Sequence, residues 1–402
     1  MSHLGEQFTE MKIPRTLLSS TALLVAALQF SLFQPASATA AASPIAAALQ
    51  PFVEKNELAG AVALVANKEK ILAVEAVGFA DRSNQRVMKT DALFWIASQS
   101  KPITAVAVMM LVDEGKLSLD DAVEKYLPEF KGQKLAAGKQ PDGSIILKAP
   151  AHPITVREVL SHTSGLPFST AVEKPTLDGL PLAEAVKRYA KTPLTFEPSS
   201  KYNYSNAGIN TAARLIEVLT GKSYEDFMDA RLFHPLGMKD TTFWPTKEQL
   251  TRLATPHKPN AAKNGLETNS ISQLHYPLDE RAKRFPMPAG GLFSTAEDVA
   301  KFCQMLLNGG ELNGKRYLSE AAFKALTTRQ TPAALKESYG LGFSVGGGGF
   351  GHGGALATNM NIDPARGLVT IWLVQHSGFP GEGGKAQGAF RKAAEEMFAK
   401  KP

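Results

Sequence analysis

Apolar and polar positions first settle into a regular pattern between Gly60 and Asp81, where "GAVALVANKEKILAVEAVGFAD" places two β-branched runs around the polar turn "NKEK". That pattern predicts a strand hairpin. The next segment, "ALFWIASQSKPITAVAVMML" (Ala92–Leu111), predicts one turn and then a helix that is apolar almost without interruption as far as Val112, hence buried on most sides. From Leu119 to about Gly290 the pattern becomes helical, in "TVREVLSHT", "LAEAVKRYA" and "AGINTAARLIEVLTG", with Pro- and Gly-rich loops between. Strand signals return at "YGLGFSV" (Tyr339–Val345), and "ALATNMNID" and "LVTIWLVQH" form a second hairpin across "PARG". A last amphipathic helix is expected from about Lys385 to Lys400.

Early and late strands with helices between them predict an α+β fold, an antiparallel sheet flanked by helices with an inserted, mostly helical domain. Residues 44–118 and 291–402 would form the sheet-bearing part and 119–290 the insertion. There is no internal repeat; the low-complexity stretches are the N-terminal region and "GGGG" (Gly346–Gly349).

The N-terminus reads differently from the rest. Met11, Lys12 and Arg15 precede the apolar "TALLVAAL", and "PASATA" then offers small residues at Ala36 and Ala38. Residues 1–38 are therefore expected to be a secretory signal cut near Ala38, with the first ten residues an upstream extension from a misplaced start. Ser19, Ser20, Thr21, Gln29 and Ser31 interrupt the apolar run, which argues against a stable membrane anchor. A periplasmic or secreted protein is expected. In such a compartment the single cysteine, Cys303, set in "DVAKFCQMLL", is a buried inert thiol rather than part of a disulfide framework.

Composition adds little: 402 residues, 44% apolar and 20% charged, suit an ordinary globular enzyme. The net charge of +6 is spread over scattered Lys and Arg with no basic run, so a nucleic-acid partner is excluded.

The chemistry starts from Ser98 and Lys101. Three residues apart at a helix start, they share a face one turn apart. Desolvation at the mouth of a buried helix lowers an ammonium pKa, and a neutral amine can take the proton of a serine hydroxyl. The Ser98 backbone N–H, at the helix N-terminus, can donate to an oxyanion. The bland alternative is a Ser98 helix cap and a Lys101 reaching solvent. Two further segments weigh against it: "KYNYSNAGIN", with Tyr204 and Asn206 one residue apart, and "GFGHGGAL", with His352 and two glycines at the start of an expected strand.

These three motifs in this order resemble the penicillin-recognising serine hydrolases: class C β-lactamases, D-alanyl-D-alanine carboxypeptidases and related family VIII esterases. "VLSHTSGLP", "LFHPLGM" and "PAGGLFST" add to the resemblance, which runs from about Phe52 to the C-terminus. It implies a β-lactamase/transpeptidase-like fold over 44–402 and acyl transfer through Ser98. Lys101 and Tyr204 would move protons as a coupled pair, with the assignment of the base left open. Asn206 would orient Lys101 and the substrate, with a helix N-cap as its other reading. The N–H groups of Ser98 and Ala355 would form the oxyanion hole, and Gly354 would let the strand approach the substrate.

In the third motif, His352 stands where β-lactamases carry Lys, and a general electrostatic role is expected of it. Gly353 lacks the hydroxyl that helps bind a substrate carboxylate in the family. Substrate contacts are thus assigned to Asn206, His352, Gly353 and Gly354. No metal and no cofactor are expected, since no acid or second His stands at ligand spacing from His352.

The leading expectation is a carboxylesterase or amidase acting on a small ester or amide. The alternatives are a D-alanyl-D-alanine carboxypeptidase or class C-like β-lactamase acting on cell-wall peptide or antibiotic, and a non-catalytic binder of cell-wall fragments. The motifs carry no signal of oligomeric state. Ser344 in "GFSVG" imitates a nucleophile elbow, yet glycines and a strand follow it where a helix would have to start. His162 is expected to be a structural loop residue. The segment "KGQKLAAGKQPDGSIILKAP" (Lys131–Pro150) is either a cleft wall or a surface excursion.

Overall fold

The computed structural model describes residues 42–399; the expected signal at 1–38 lies outside them. At its centre is a seven-stranded sheet built from both ends of the chain. The strands are β1 (Gly60–Ala66), β2 (Ile71–Asp81), β3 (Arg86–Val87), β4 (Ser344–Gly346), β5 (Gly349–Gly353), β6 (Asn359–Asp363) and β7 (Leu368–Leu373), in the spatial order β4-β5-β6-β7-β1-β2-β3. Every neighbouring pair is antiparallel.

Alternation along β1 decides what covers each face. Ala61, Ala63 and Val65 join Ile45 and Leu49 of α1 (Pro44–Glu54) and Phe390 of α7 (Ala386–Phe398) in one apolar layer. Val62, Leu64 and Ala66 turn to the other face and the main core, shared with α6 (Ala296–Leu307). Because β1 and β7 are covered on both sides, they carry nearly pure apolar sequence.

That main core continues through α2 (Ser100–Asp113) into α3 (Val156–Ser161), α4 (Leu182–Lys191) and α5 (Asn206–Thr220). Residues Ser100–Leu111 of α2 are all buried, which accounts for a helix without a polar face. A two-stranded ladder pairs Phe94–Trp95 with Phe293–Ser294 and brings the 287–295 segment against the turn that opens α2. Three bonds tie that segment down: the Trp95 indole N–H donates to Gly290 O (2.7 Å), Thr104 Oγ1 to Pro288 O (2.9 Å) and Leu292 N to Ser100 Oγ (3.2 Å).

The stretch 119–290 is not helix and loop alone. It holds two hairpins, Leu135–Lys139 with Ile145–Lys148, and His257–Pro259 with Leu266–Thr268. The first resolves the Lys131–Pro150 segment as a surface excursion, its strand residues Ile145, Ile146 and Leu147 exposed. "YGLGFSV" is strand only from Ser344, because Gly340 and Gly342 bend the chain against other backbone.

Candidate active site

Ser98 lies in a single 3-10 turn, Ala97–Gln99, that runs straight into α2. Ala97 before it takes φ 48°, a left-handed conformation unusual for a residue with a Cβ. Lys101 follows in the first helical turn, so its side chain returns to the face Ser98 occupies. Its Nζ stands 3.1 Å from Ser98 Oγ and donates to Ala289 O at 2.7 Å. Lys101 is wholly buried, and that burial drives its pKa well below the ordinary lysine value, with the Glu173 carboxylate opposing. A neutral amine keeps a lone pair, and this one lies within hydrogen-bond reach of the serine hydroxyl.

Tyr204 arrives from the mouth of α5, its ring centroid 4.5 Å from Lys101 Nζ. Burial pushes its hydroxyl above the usual phenol pKa, and the Ser98 hydroxyl works the other way. Burial thus favours amine and phenol over ammonium and phenolate in this pair.

His352 closes the group, near the end of β5 rather than at a strand start as the sequence suggests: pairing begins at Gly349, against Gly346 of β4. Its Nδ1 faces the Gly353 carbonyl, which can only accept, so the proton sits on Nδ1. Nε2 is left as an acceptor for Tyr339 OH at 2.9 Å, with Tyr204 OH at 3.5 Å. Burial first, and Lys101 second, hold its pKa down at about 3. His352 is a neutral acceptor at neutral pH, so any electrostatic role it has is that of a dipole and not of a charge.

Two other residues do something different from what sequence suggested. The cap of α5 is Ser205, whose Oγ accepts from Gly208 N at 2.9 Å; Asn206 is the first helical residue. Among the described residues its amide makes no hydrogen bond to Lys101, whose nearby acceptor is the Ala289 carbonyl. Gly354 is needed for packing: a Cβ there would lie 2.4 Å from Ile96 O and 2.3 Å from Thr358 Oγ1, so its close approach is to the turn before Ser98. Gly353 is open by comparison, with only ordinary contacts of 3.6 and 3.7 Å awaiting a Cβ. Ala355 begins a short turn, Ala355–Ala357, packed beside the Ser98 turn.

A match to known proteins decides the lineage. A sequence model of the Beta-lactamase family covers residues 45–394. The chain belongs to that family. Esterase EstB of Burkholderia gladioli is 31% identical over 79% of this chain and 79% of its own. Penicillin-binding protein 4 of Amycolatopsis lactamdurans is 29% identical over 80% and 81%. Among solved structures, EstCE1, described as a hydrolase with promiscuous acyltransferase activity, superposes with a TM-score of 0.71 at 24% identity, over 87% of this chain and 97% of that one. The fold is the β-lactamase/transpeptidase-like one. Beta-lactamase-family proteins of this fold are serine hydrolases, and so is this chain.

Around Tyr204 the structure gathers Tyr339 and Phe168, which the sequence does not single out, and His162, which the sequence marks only as a loop residue. Tyr339 and His162 are both buried and pack around Tyr204, the His162 ring centroid 4.6 Å from Tyr204 and 4.8 Å from Tyr339. His162 ends α3 at φ 62° and its Nδ1 accepts from Ser205 N at 3.1 Å, which ties it to the site as well as to its loop. Phe168, 47% exposed, stacks on Tyr204 from outside. No periodicity singles these residues out; only long-range packing gathers them. Ala289 had a signal, because it lies in "PAGGLFST". Ser344 is exposed on β4, remote in kind from an elbow, and Cys303 is buried with Sγ 3.7 Å from Met360 Sδ. Among the described residues no cluster of three or more His, Cys, Asp or Glu could hold a metal ion. Nor is any described helix long and apolar enough to cross a membrane.

Proposed function

We propose that this serine hydrolase is a carboxylesterase, or an amidase of the same mechanism, that forms an acyl-enzyme at Ser98. The observation that carries the reading is the buried Lys101 amine 3.1 Å from Ser98 Oγ. In the first step Lys101 accepts the Ser98 proton as Oγ attacks the substrate carbonyl carbon. The carbonyl oxygen becomes an oxyanion, received by the backbone N–H groups of Ser98 and Ala355. The intermediate collapses, the bond to the leaving group breaks, and Tyr204 hands that group a proton, regained from Lys101. Water then attacks the ester at Ser98, giving one proton back through the same pair, and releases the carboxylic acid and the free serine.

Ester substrates are favoured over substrates with a free carboxylate. Binding a carboxylate calls for a cation or hydroxyl donors, and the third motif offers a neutral His352 and a side-chain-free Gly353. Phe168 beside Tyr204 presents an apolar plate at the cleft mouth, suited to an apolar acyl or alcohol group. The name of esterase EstB agrees with this reading. The rival reading, a D-alanyl-D-alanine carboxypeptidase or β-lactamase, keeps the same three motifs and the likeness to penicillin-binding protein 4. We place the protein in the periplasm or outside the cell on its N-terminal pattern; N-terminal sequencing of exported protein should start after Ala38.

A single panel tests the substrate class: short p-nitrophenyl acyl esters, nitrocefin and a peptide ending in D-alanyl-D-alanine. Ester hydrolysis should dominate, and Ser98→Ala should lower it by at least about 1,000-fold. Unchanged hydrolysis in Ser98→Ala would falsify the reading, and nitrocefin or peptide turnover without ester turnover would put the rival ahead.

A further inference from the structure

A buried acid is tied to Lys101 by two sets of hydrogen bonds that meet at the backbone of Ala289. The Lys101 amine donates to Ala289 O at 2.7 Å. The N–H of the same residue donates to Asn210 Oδ1 at 3.0 Å, and Asn210 Nδ2 donates to Tyr189 OH at 3.1 Å. Tyr189 OH in turn donates to Glu173 Oε1, also at 3.1 Å. Every donor along this route points toward the carboxylate, and Lys101, Ala289, Asn210, Tyr189 and Glu173 are all buried. The Asn210 amide relays polarisation from Tyr189 and Glu173 to the Ala289 N–H, and because the Ala289 carbonyl belongs to the next peptide group, the link from there to Lys101 is one of backbone position.

We propose that Glu173 is a positioning residue for Lys101, acting through Tyr189, Asn210 and the Ala289 carbonyl, and that its negative charge sets the pH at which the amine becomes free to accept the Ser98 proton. The proposal rests on the reading of Lys101 as proton acceptor. Glu173 has a local task too, since Oε2 accepts from Thr170 N at 2.7 Å and caps the Ala171–Glu173 turn. That task alone needs no link to Ala289.

The electrostatic balance gives the chain its purpose. Desolvation by α2 and its neighbours makes the Lys101 amine a weak base, and proton transfer works best when the base has a pKa near the working pH. The groups facing Lys101 are Ser98 and Tyr204, with His162 from the end of α3 and His352 from β5, and Tyr339 stands behind them on His352. The two imidazoles are held neutral by burial, and burial keeps both phenols protonated. Glu173 supplies the opposing negative charge and restores part of the basicity that burial removes. Burial also raises the Glu173 carboxyl itself, while the Thr170 N–H, Tyr189 and Lys101 favour its ionised form.

Two substitutions separate charge from positioning. Glu173→Gln keeps the acceptor for Tyr189 and removes the charge; Tyr189→Phe keeps the charge and cuts the chain. The readout is the rate at which a fluorophosphonate probe labels Ser98 between pH 5 and pH 10, which needs no knowledge of the natural substrate, with Tm measured alongside. Removing a negative charge lowers the Lys101 pKa, so the acid limb of the Glu173→Gln profile should move down by about half a pH unit or more. Tyr189→Phe should leave the limb in place and lower the plateau by about tenfold. If Glu173→Gln does not fold, Glu173→Asp takes its place, expected to keep the limb and lose plateau rate through the shortened reach. An acid limb unmoved in Glu173→Gln, or parental plateau rates in Tyr189→Phe and Glu173→Asp, would overturn the proposal. No labelling of Ser98 in the parent protein would instead sink the acyl-enzyme reading itself.

Discussion

An ammonium deprived of water must find a counter-charge or shed its proton, and Lys101 sits between the apolar body of α2 and the ring of Tyr204. The serine beside it is an ordinary hydroxyl until that amine is neutral. The two glycines of the third motif show how differently adjacent residues can be constrained. A side chain at Gly353 meets nothing closer than 3.6 Å, whereas one at Gly354 collides with the Ile96 carbonyl at 2.4 Å. Gly353→Ser should therefore fold like the parent and, by restoring a hydroxyl donor, raise nitrocefin turnover while ester rates stay within a few-fold. Gly354→Ala should cost more than about 2 kcal/mol and displace the Ser98 turn. Urea melts and the two assays check both; equal stability losses at the two positions would refute the difference.

At the scale of elements, α2 is held by what lies against its first turns. Gly342 is one such contact: at φ 74° a Cβ would fall 2.6 Å from Ala105 Cβ and 2.9 Å from Lys101 O. The glycine that makes "GFSVG" look like a nucleophile elbow is there to let the chain cross α2. Gly342→Ala should lower stability by about 2–3 kcal/mol through strain and overpacking, and should slow hydrolysis by shifting Lys101. Ser344→Ala, at an exposed position, should leave rates unchanged. A loss of activity in Ser344→Ala with intact Tm would contradict this account. The hairpin of β1 and β2 was legible because two apolar, β-branched runs flank the polar turn "NKEK". The Leu135–Lys148 hairpin was not, since strand residues exposed on both faces carry no alternation. His352 was misplaced along its strand for a related reason: glycines at 349, 351 and 353 leave no side-chain pattern by which to find a strand end.

The whole molecule keeps several imidazoles neutral in its interior, and two of them, His352 and His376, give it a pH signature. His352 and His376 are both held at about 3, the first mainly by burial with Lys101 adding, the second by burial with His257 adding. His376 Nε2 accepts from Ala59 N at 3.1 Å, a bond that only the neutral ring can make. In the unfolded chain both would titrate near 6.5. Above that pH neither state binds the proton and the contribution to stability is complete. As pH falls below 6.5 the unfolded chain gains protons that the native state refuses, and stability drops by up to about 1.4 kcal/mol per pH unit for each ring until the folded pKa is reached. Urea midpoints should hold between pH 8 and 7 and fall steadily from 6.5 to 4. A flat profile down to pH 5 would refute it, and His376→Gln should reduce the slope.

The order of the motifs, the Ser98–Lys101 spacing and the apolar runs of the early and late strands follow from the chain alone, because each depends on neighbours a few residues apart. From these come the family, the fold class and the choice of Ser98, Lys101 and Tyr204. Protonation was decided elsewhere. That burial favours the neutral form of Lys101, that His352 is an acceptor without charge and that Gly354 serves the turn before Ser98 depend on desolvation and on backbone approach between segments up to about 260 residues apart. The residues that tie Glu173 to the Lys101 amine are drawn from α4, α5 and the 287–295 segment. Burial and long-range contact are properties of the packed molecule, and local sequence has no way to record them.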